Sequence, residues 1–206
     1  MLCSSILGRT REAKVKTKLV LLVLALIALP IFVMADAIPY PNIGTQAPVT
    51  TFTATTSGEI IAYFYSSDAG YNSEIGLLVN NLSTGVQGLP NHASAHGQQL
   101  DLGFANAGDT LVFELFVLST GEKWFSDPSM NSDGFNHVYS TSFSGDSAIP
   151  AGTYVAFEDI AGGGDVDYND HQFVFTNVTR STPEPASALL LAGGLGLLGA
   201  WRKRNK

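Results

Sequence analysis

Short apolar runs separated by turn residues are the feature that most constrains the fold of this chain. Between residues 49 and 178, runs rich in Val, Ile, Leu, Phe and Thr alternate with Gly, Asn, Asp and Pro. β-Branched and aromatic residues favour strands, whereas Gly and Pro interrupt them. No long stretch with the 3.6-residue period of an amphipathic helix occurs in this part of the sequence. The central segment is therefore predicted to be all-β.

Eight segments carry this strand pattern. Residues 59–65 and 109–118 are almost continuously apolar, which is typical of strands covered on both faces. The shorter candidates are residues 49–56, 74–80, 98–104, 137–143, 153–157 and 172–178. About eight short strands joined by turns predict a β-sandwich, and the pattern leaves open whether its topology is jelly-roll or immunoglobulin-like.

The N-terminus has the composition of a secretory signal. Basic residues cluster before residue 19, and an apolar run extends from Leu19 to Ala35. A basic segment, an apolar core and small residues before a cleavage point together indicate a signal peptide. Residues 1–35 are therefore predicted to form a signal helix that signal peptidase removes after Ala35, with Ala37 as the second choice. The alternative is a retained membrane anchor.

A second apolar run, residues 186–201, lies near the C-terminus and is followed by basic residues. As a helix it would be about 24 Å long, shorter than a hydrocarbon core of about 30 Å, so it would anchor the chain only weakly. The basic residues after it would stay on the cytoplasmic side. The run is directly preceded by Pro183, Glu184 and Pro185. An ordinary C-terminal transmembrane helix is the alternative interpretation.

The Pro-Glu-Pro triplet, the Gly-rich apolar run and the basic end together resemble the PEP-CTERM sorting signal. This resemblance implies a Gram-negative bacterium and an exosortase that cuts at the triplet. It also implies that residues 180–206 form a sorting helix that holds the chain transiently in the inner membrane. The destination it implies is the outer envelope, the cell surface or the extracellular matrix, where such proteins are often associated with exopolysaccharide and biofilm formation.

The segment between the two signals is strongly acidic. Of the 18 acidic residues, only Glu12 and Glu184 lie outside residues 36–182, whereas Lys123 and Arg180 are the only Lys or Arg inside it. Sixteen acidic residues against two basic ones give this segment a formal charge of −14. Such a charge excludes nucleic acid as a partner and favours cations. Acidity that serves solubility alone is the alternative.

One segment between two predicted strands concentrates oxygen donors. Three successive glycines, residues 162–164, allow the backbone there to adopt positive φ. Around them lie five carboxylates and one amide, namely Glu158, Asp159, Asp165, Asp167, Asn169 and Asp170. Carboxylates at this density repel one another unless a cation binds, and oxygen donors suit Ca²⁺ or Mg²⁺. The sequence therefore predicts a Ca²⁺ site, and a polar hairpin without metal is the alternative.

Two other loops are also rich in oxygen donors. One contains Asp68, Asn72 and Glu74, and the other contains Asn131, Asp133 and Asn136. Both compositions are more typical of turns than of ligand sets, although either loop could fold against the acidic segment and donate an oxygen. His171 adjoins the acidic segment, where its protonation at low pH would weaken cation binding.

The acidic segment carries a second family resemblance. Phe157-Glu158-Asp159, followed by residues 162–165, residues 167–170 and Phe173, closely resembles the signature of the DUF4114 domain. That β-rich domain recurs in bacterial extracellular and PEP-CTERM proteins, and the resemblance supports a calcium role. The predicted organisation is a signal peptide (1–35), an extended leader (36–48), a DUF4114-like β-sandwich (49–179) and the sorting signal (180–206).

The sequence contains no nucleophile elbow, P-loop or zinc-protease motif. The predicted function is therefore an exported, non-enzymatic protein of the cell surface or matrix, with a calcium-stabilised β-sandwich. One alternative is a carbohydrate-binding module for exopolysaccharide, with Trp124, Phe125 and Tyr139 as candidate sugar-stacking residues. The other is an enzyme acting on polysaccharide through paired carboxylates.

Overall fold

The computed structural model describes residues 38–182, and these residues form two antiparallel β-sheets. The predicted signal helix with its cleavage position Ala35, and the predicted sorting helix with Pro183, Glu184 and Pro185, lie outside the described residues. The described part of the chain contains eleven strands: β1 (Thr51–Ala54), β2 (Gly58–Ser66), β3 (Ser73–Val79), β4 (Leu82–Gly88), β5 (Gln99–Ala105), β6 (Thr110–Val117), β7 (Glu122–Phe125), β8 (Val138–Phe143), β9 (Gly152–Phe157), β10 (His171–Phe175) and β11 (Val178–Ser181). Two three-residue 3-10 turns, Pro128–Met130 and Ala161–Gly163, accompany them.

Every pair of neighbouring strands is antiparallel. The six-stranded sheet has the order β11-β1-β6-β3-β4, and β7 also pairs with β6. The five-stranded sheet has the order β5-β2-β10-β9-β8. The all-β prediction is therefore confirmed for residues 38–182.

Side chains from both sheets fill one buried cluster between them, here called the inner cluster. Phe113 of β6 stacks on Phe175 of β10 across the interface, with 3.9 Å between the ring centroids. β6 lies in the middle of its sheet and is apolar almost throughout, as its sequence predicted. Its buried polar residue, Glu114, is 6 % exposed and accepts hydrogen bonds from Lys123 Nζ at 2.9 Å and Gln87 Nε2 at 2.7 Å. This pairing compensates the one acidic side chain that β6 buries.

The opposite face of the five-stranded sheet carries a second buried cluster, here called the outer cluster. Successive side chains of a strand point to opposite faces of the sheet, so each strand contributes to both clusters. In β9, Val155 and Phe157 belong to the inner cluster, whereas Tyr154 and Ala156 belong to the outer one. The outer cluster is rich in tyrosine, and its buried members are Tyr40, Ala47, Tyr65, Phe143, Ile149, Tyr154, Ala156, Tyr168 and Val174.

Residues 38–50, here called the strap, contribute to this outer cluster. The sequence predicts an extended leader over residues 36–48, but in the described part residues 41–45 form a turn. Tyr40 and Ala47 are each 4 % exposed. The Tyr40 ring lies 4.9 Å from the ring of Tyr139. Aromatic contact therefore draws this segment onto the sheet, and it is part of the folded domain.

Three strands were not predicted from the sequence, and all three are short or polar. β4 is an edge strand with the sequence LSTGVQG and alternately exposed side chains. β7 and β11 have four residues each. β11 pairs with β1 through Ser181, so the sheet extends two residues beyond residue 179, where the sequence places the end of the domain. Such strands are specified by the neighbour that they pair with, because they carry little apolar pattern of their own.

Candidate metal centre

The acidic loop, residues 158–170, joins two neighbouring strands of the five-stranded sheet. Phe157 at the end of β9 pairs with His171 at the start of β10, so the two ends of the loop lie side by side. Gly162, Gly163 and Gly164 all have positive φ, as the glycine run predicted. A Cβ at Gly163 would lie 2.3 Å from the Phe135 ring, so the loop closes tightly there. This geometry returns the second half of the loop toward Glu158.

Three of the predicted ligands come together. Glu158, Asp165 and Asp167 each present a carboxylate oxygen, and these oxygens lie within 4.8 Å of one another. Glu158 is 1 % exposed, Asp167 is half-buried and Asp165 is exposed. The backbone N–H of Tyr168 donates a hydrogen bond to Glu158 Oε1. The three carboxylates therefore converge on one point at the protein surface.

No Lys or Arg within residues 38–182 forms an ion pair with these three carboxylates. The ion pairs of the described residues join Lys123 to Glu114, and His96 and His137 to aspartates outside the acidic loop. Burial, and then the charges of neighbouring aspartates, raise the pKa of Glu158 to about 8. Burial and the charge of Asp165 also raise the pKa of Asp167. A divalent cation at this point would replace repulsion with attraction.

Asp159 and Asp170 form a separate pair beside the three carboxylates. Asp159 is 2 % exposed, and its Oδ2 has no hydrogen-bond donor within reach. Its backbone N–H donates to Asp170 Oδ2 at 2.9 Å. The two carboxyl groups lie against each other, and burial raises the pKa of both. The pair therefore adds to the unfavourable electrostatics of the loop.

The sixth predicted ligand, Asn169, supports Asp167. Its side-chain Nδ2 donates to Asp167 Oδ2 at 2.6 Å, and its backbone N–H donates to Asp167 Oδ1 at 3.2 Å. The amide thus turns its nitrogen, and not its oxygen, toward the neighbouring carboxylate. In this arrangement Asn169 orients Asp167.

Both of the other oxygen-rich loops fold against the acidic loop. Asp133 Oδ2 accepts a hydrogen bond from the backbone N–H of Gly162 at 2.7 Å and lies 3.0 Å from His137 Nε2. The backbone N–H of Asp68 donates to the carbonyl of Asn169 at 3.1 Å. Asp133 therefore fixes the glycine turn, whereas Asp68 fixes the base of the loop.

Burial overturns one sequence-based hypothesis about nearby residues and restricts another. His171 is fully buried, and this burial lowers its pKa to about 3, so the protonation that was expected to weaken cation binding is confined to strongly acidic pH. Trp124, a candidate sugar-stacking residue, is 1 % exposed and donates its ring N–H to the carbonyl of Asp159 at 2.9 Å. Trp124 belongs to the inner cluster, and its hydrogen bond to Asp159 links that cluster to the start of the acidic loop.

Sequence reasoning missed Tyr168, which connects the loop to the rest of the domain. Tyr168 is 1 % exposed, and its hydroxyl accepts from the backbone N–H of Ala47 at 3.0 Å and donates to the carbonyl of Asn136 at 2.9 Å. The signal that could have found it is the single aromatic residue in a loop that is rich in Gly and Asp. Its partners could not be inferred, because Ala47 is more than a hundred residues away along the chain.

The fold and the loop define an all-β domain with a candidate divalent-cation centre at one of its connections. The model of the family described as a domain of unknown function, DUF4114, matches residues 69–177, which include the acidic loop and just over half of the chain. The chain belongs to the DUF4114 family. Strands β1, β2 and β11 lie outside the matched residues.

The C-terminal residues match a second model. Residues 181–204 match the PEP-CTERM protein-sorting motif, which implies export by an exosortase system in a bacterium. No curated protein and no solved structure matches the chain significantly. Within residues 38–182, no helix has the length and apolar character needed to cross a membrane.

Proposed function

We propose that this protein is an exported, non-enzymatic component of the bacterial cell surface or extracellular matrix, with a β-sandwich stabilised by Ca²⁺ at the acidic loop. The observation that carries the proposal is the position of Glu158, which is 1 % exposed and faces Asp165 and Asp167. A buried carboxylate among like charges is unfavourable unless a cation compensates it. The sorting motif supports the extracellular location, where Ca²⁺ would be the available ion.

Ca²⁺ suits this loop better than Mg²⁺. It binds six to eight oxygens in flexible geometry, whereas Mg²⁺ requires a near-ideal octahedron. Glu158, Asp165 and Asp167 would supply the carboxylates, and the exposure of Asp165 leaves room for water ligands. Because the unfolded chain holds no such site, binding would stabilise the folded state by about 2.7 kcal/mol at a Ca²⁺ concentration 100 times the Kd.

The arrangement favours a structural role over catalysis. The two carboxyl groups of glycosidases lie about 5–9.5 Å apart on either side of a substrate cleft. Here the three carboxylate oxygens lie within 4.8 Å of one another in a single loop. Three carboxylates that converge from one loop resemble a set of cation ligands more than two carboxyl groups that face each other across a substrate cleft.

Thermal unfolding of the full chain, in a non-ionic detergent, tests the proposal. We expect the Tm to rise by roughly 5–10 °C between EGTA and saturating Ca²⁺, given ~2–4 °C per kcal/mol for a chain of this size. The double variant Asp165→Asn/Asp167→Asn should lose this rise. The matched control Glu59→Gln/Asp101→Asn removes two carboxylates elsewhere and should keep it. An unchanged Tm of the wild-type chain in Ca²⁺ would contradict the proposal.

A further inference from the structure

Tyr168 touches two parts of the molecule that are far apart in sequence. Its backbone N–H donates to Glu158 Oε1 in the acidic loop. Its hydroxyl accepts from the backbone N–H of Ala47 in the strap. A single buried residue therefore contacts both a candidate cation ligand and the segment that covers the outer cluster.

Further contacts join the acidic loop to the strap. The backbone N–H of Gly44 donates to the carbonyl of Val166 at 3.0 Å. The rings of Tyr40 and Tyr168 meet edge to face, 4.9 Å apart. Strap residues 38–50 belong to no strand of either sheet, so these contacts take the place of a β-ladder.

The loop conformation that makes these contacts is costly without a cation. Val166 and Tyr168 have φ values of 57° and 54°, in the left-handed region that disfavours residues with a Cβ. The same conformation brings Glu158, Asp165 and Asp167 within 4.8 Å of one another. Asp159 next to Glu158 is also buried with an unpartnered carboxylate oxygen. Repulsion and backbone strain therefore both favour opening of the loop, and a bound cation opposes it.

We propose that Tyr168 is a positioning residue that couples cation binding at the acidic loop to closure of the strap over the tyrosine-rich outer face of the five-stranded sheet. This inference rests on the proposed Ca²⁺ site. With the cation bound, Glu158 holds the backbone of Tyr168, and the Tyr168 side chain holds the strap. Without it, the loop relaxes and releases the strap, which uncovers Tyr139 and Tyr154, the two tyrosines that Tyr40 and Ile38 of the strap contact.

The coupling must act in both directions. If Ca²⁺ strengthens strap closure by some factor, strap closure strengthens Ca²⁺ binding by the same factor. A change at the hydroxyl of Tyr168, which contacts no carboxylate of the loop, should therefore weaken Ca²⁺ binding. A residue with a merely structural role in the sheet would not change this affinity.

Hydrogen exchange of the full chain, measured by mass spectrometry in EGTA and in Ca²⁺, tests the coupling, with Ca²⁺ affinity measured in parallel by equilibrium dialysis. In the wild-type chain, amides of residues 38–50 should exchange about tenfold more slowly in Ca²⁺. Tyr168→Phe keeps every carboxylate and loses both hydroxyl bonds. We expect it to lose most of this protection and to bind Ca²⁺ several-fold more weakly.

The control is Ser140→Ala, which removes another buried hydroxyl, bonded to the carbonyl of Tyr154 at 2.7 Å. It should retain both the protection and the affinity. If the wild-type chain binds Ca²⁺ but its strap exchanges equally fast with and without the ion, the coupling is overturned and the proposed function stands. If Tyr168→Phe binds Ca²⁺ as tightly as the wild-type chain, the role of Tyr168 is overturned. If no Ca²⁺ binds, both proposals fail.

Discussion

The two faces of the five-stranded sheet are buried in different ways. The inner face packs on the other sheet through Phe173, Phe175 and Phe157, which alternate along their strands with outward-facing residues. The outer face carries Tyr139 and Tyr154 and is covered by the strap and the acidic loop. One face is therefore buried by a second sheet, whereas the other is buried by segments without regular secondary structure.

This difference predicts two kinds of stability. The inner cluster depends on apolar packing, which is insensitive to cations and changes little with pH. The outer cluster depends on a loop whose carboxylates repel one another. We therefore expect Ca²⁺ and pH to act on the outer cluster and its cover, and core substitutions to act on the inner cluster.

The largest effect is expected from Phe113→Ala in the inner cluster. Phe113 is fully buried and stacks on Phe175, so its truncation leaves a cavity between the sheets. The free energy of unfolding should fall by about 3–5 kcal/mol. Chemical denaturation in EGTA and in Ca²⁺ should give the same loss. A loss that Ca²⁺ largely repairs would break the distinction between the two clusters.

A smaller effect is expected from Gly163→Ala in the acidic loop. Its φ of +79° disfavours a side chain, and the added Cβ would lie 2.3 Å from the Phe135 ring. The loss should be about 1–3 kcal/mol in Ca²⁺ and less in EGTA, where the loop is already relaxed. Gly162→Ala is the matched control, because its φ is +74° but no atom lies within 4 Å of the added Cβ. Equal losses for both variants would argue against tight closure at Gly163.

The pH dependence of the free energy of unfolding should distinguish the outer cluster from the inner one without any substitution. The pKa of Glu158 rises from 4.5 to about 8 on folding, so the folded state holds a proton that the unfolded state releases. The free energy of unfolding in EGTA should therefore fall as pH rises from 6.5 to 8. Asp170, whose pKa burial raises to about 7, adds a smaller fall in the same window. The pKa of His171 is lowered from 6.5 to about 3, so the stability that its neutral form contributes is lost only as pH falls below 6.5, outside this window.

Saturating Ca²⁺ should remove most of this fall between pH 6.5 and 8, because the ion displaces the proton from Glu158. Glu158→Gln in EGTA should abolish most of it as well, since the amide does not titrate. Tm measured at both pH values checks the expectation. A Tm that rises with pH in EGTA would contradict a raised pKa of Glu158 in the folded state.

The smallest effect is expected from Tyr154→Phe in the outer cluster. The Tyr154 hydroxyl donates to Gln172 Oε1 at 2.8 Å and lies 3.4 Å from the carbonyl of Ile38 in the strap, and its ring stays packed after the substitution. The loss should be about 0.5–1.5 kcal/mol, the usual contribution of one hydrogen bond. Denaturation monitored by fluorescence measures it. A loss as large as that for Phe113→Ala would mean that the two clusters are equally rigid.

Part of the candidate site could be predicted from local sequence. The glycine run and the alternating acidic residues lie within one short loop, so their proximity follows from chain connectivity, and Glu158, Asp165 and Asp167 do converge. Asn169 was predicted as a ligand of the same kind, but its amide turns its nitrogen toward Asp167. The direction of an amide depends on its hydrogen-bond partners, and these cannot be read from residue type.

The sequence by itself determined the all-β class and the strands that bury apolar residues, because alternation of side chains and turn residues are local properties. It also determined the acidic loop. Only the tertiary structure decided the short strands β4, β7 and β11, the strap, and the role of Tyr168. Each of these depends on contacts between distant segments, such as Ala47 with Tyr168 and Thr51 with Ser181. Their stability comes from the partner, and no local pattern encodes it.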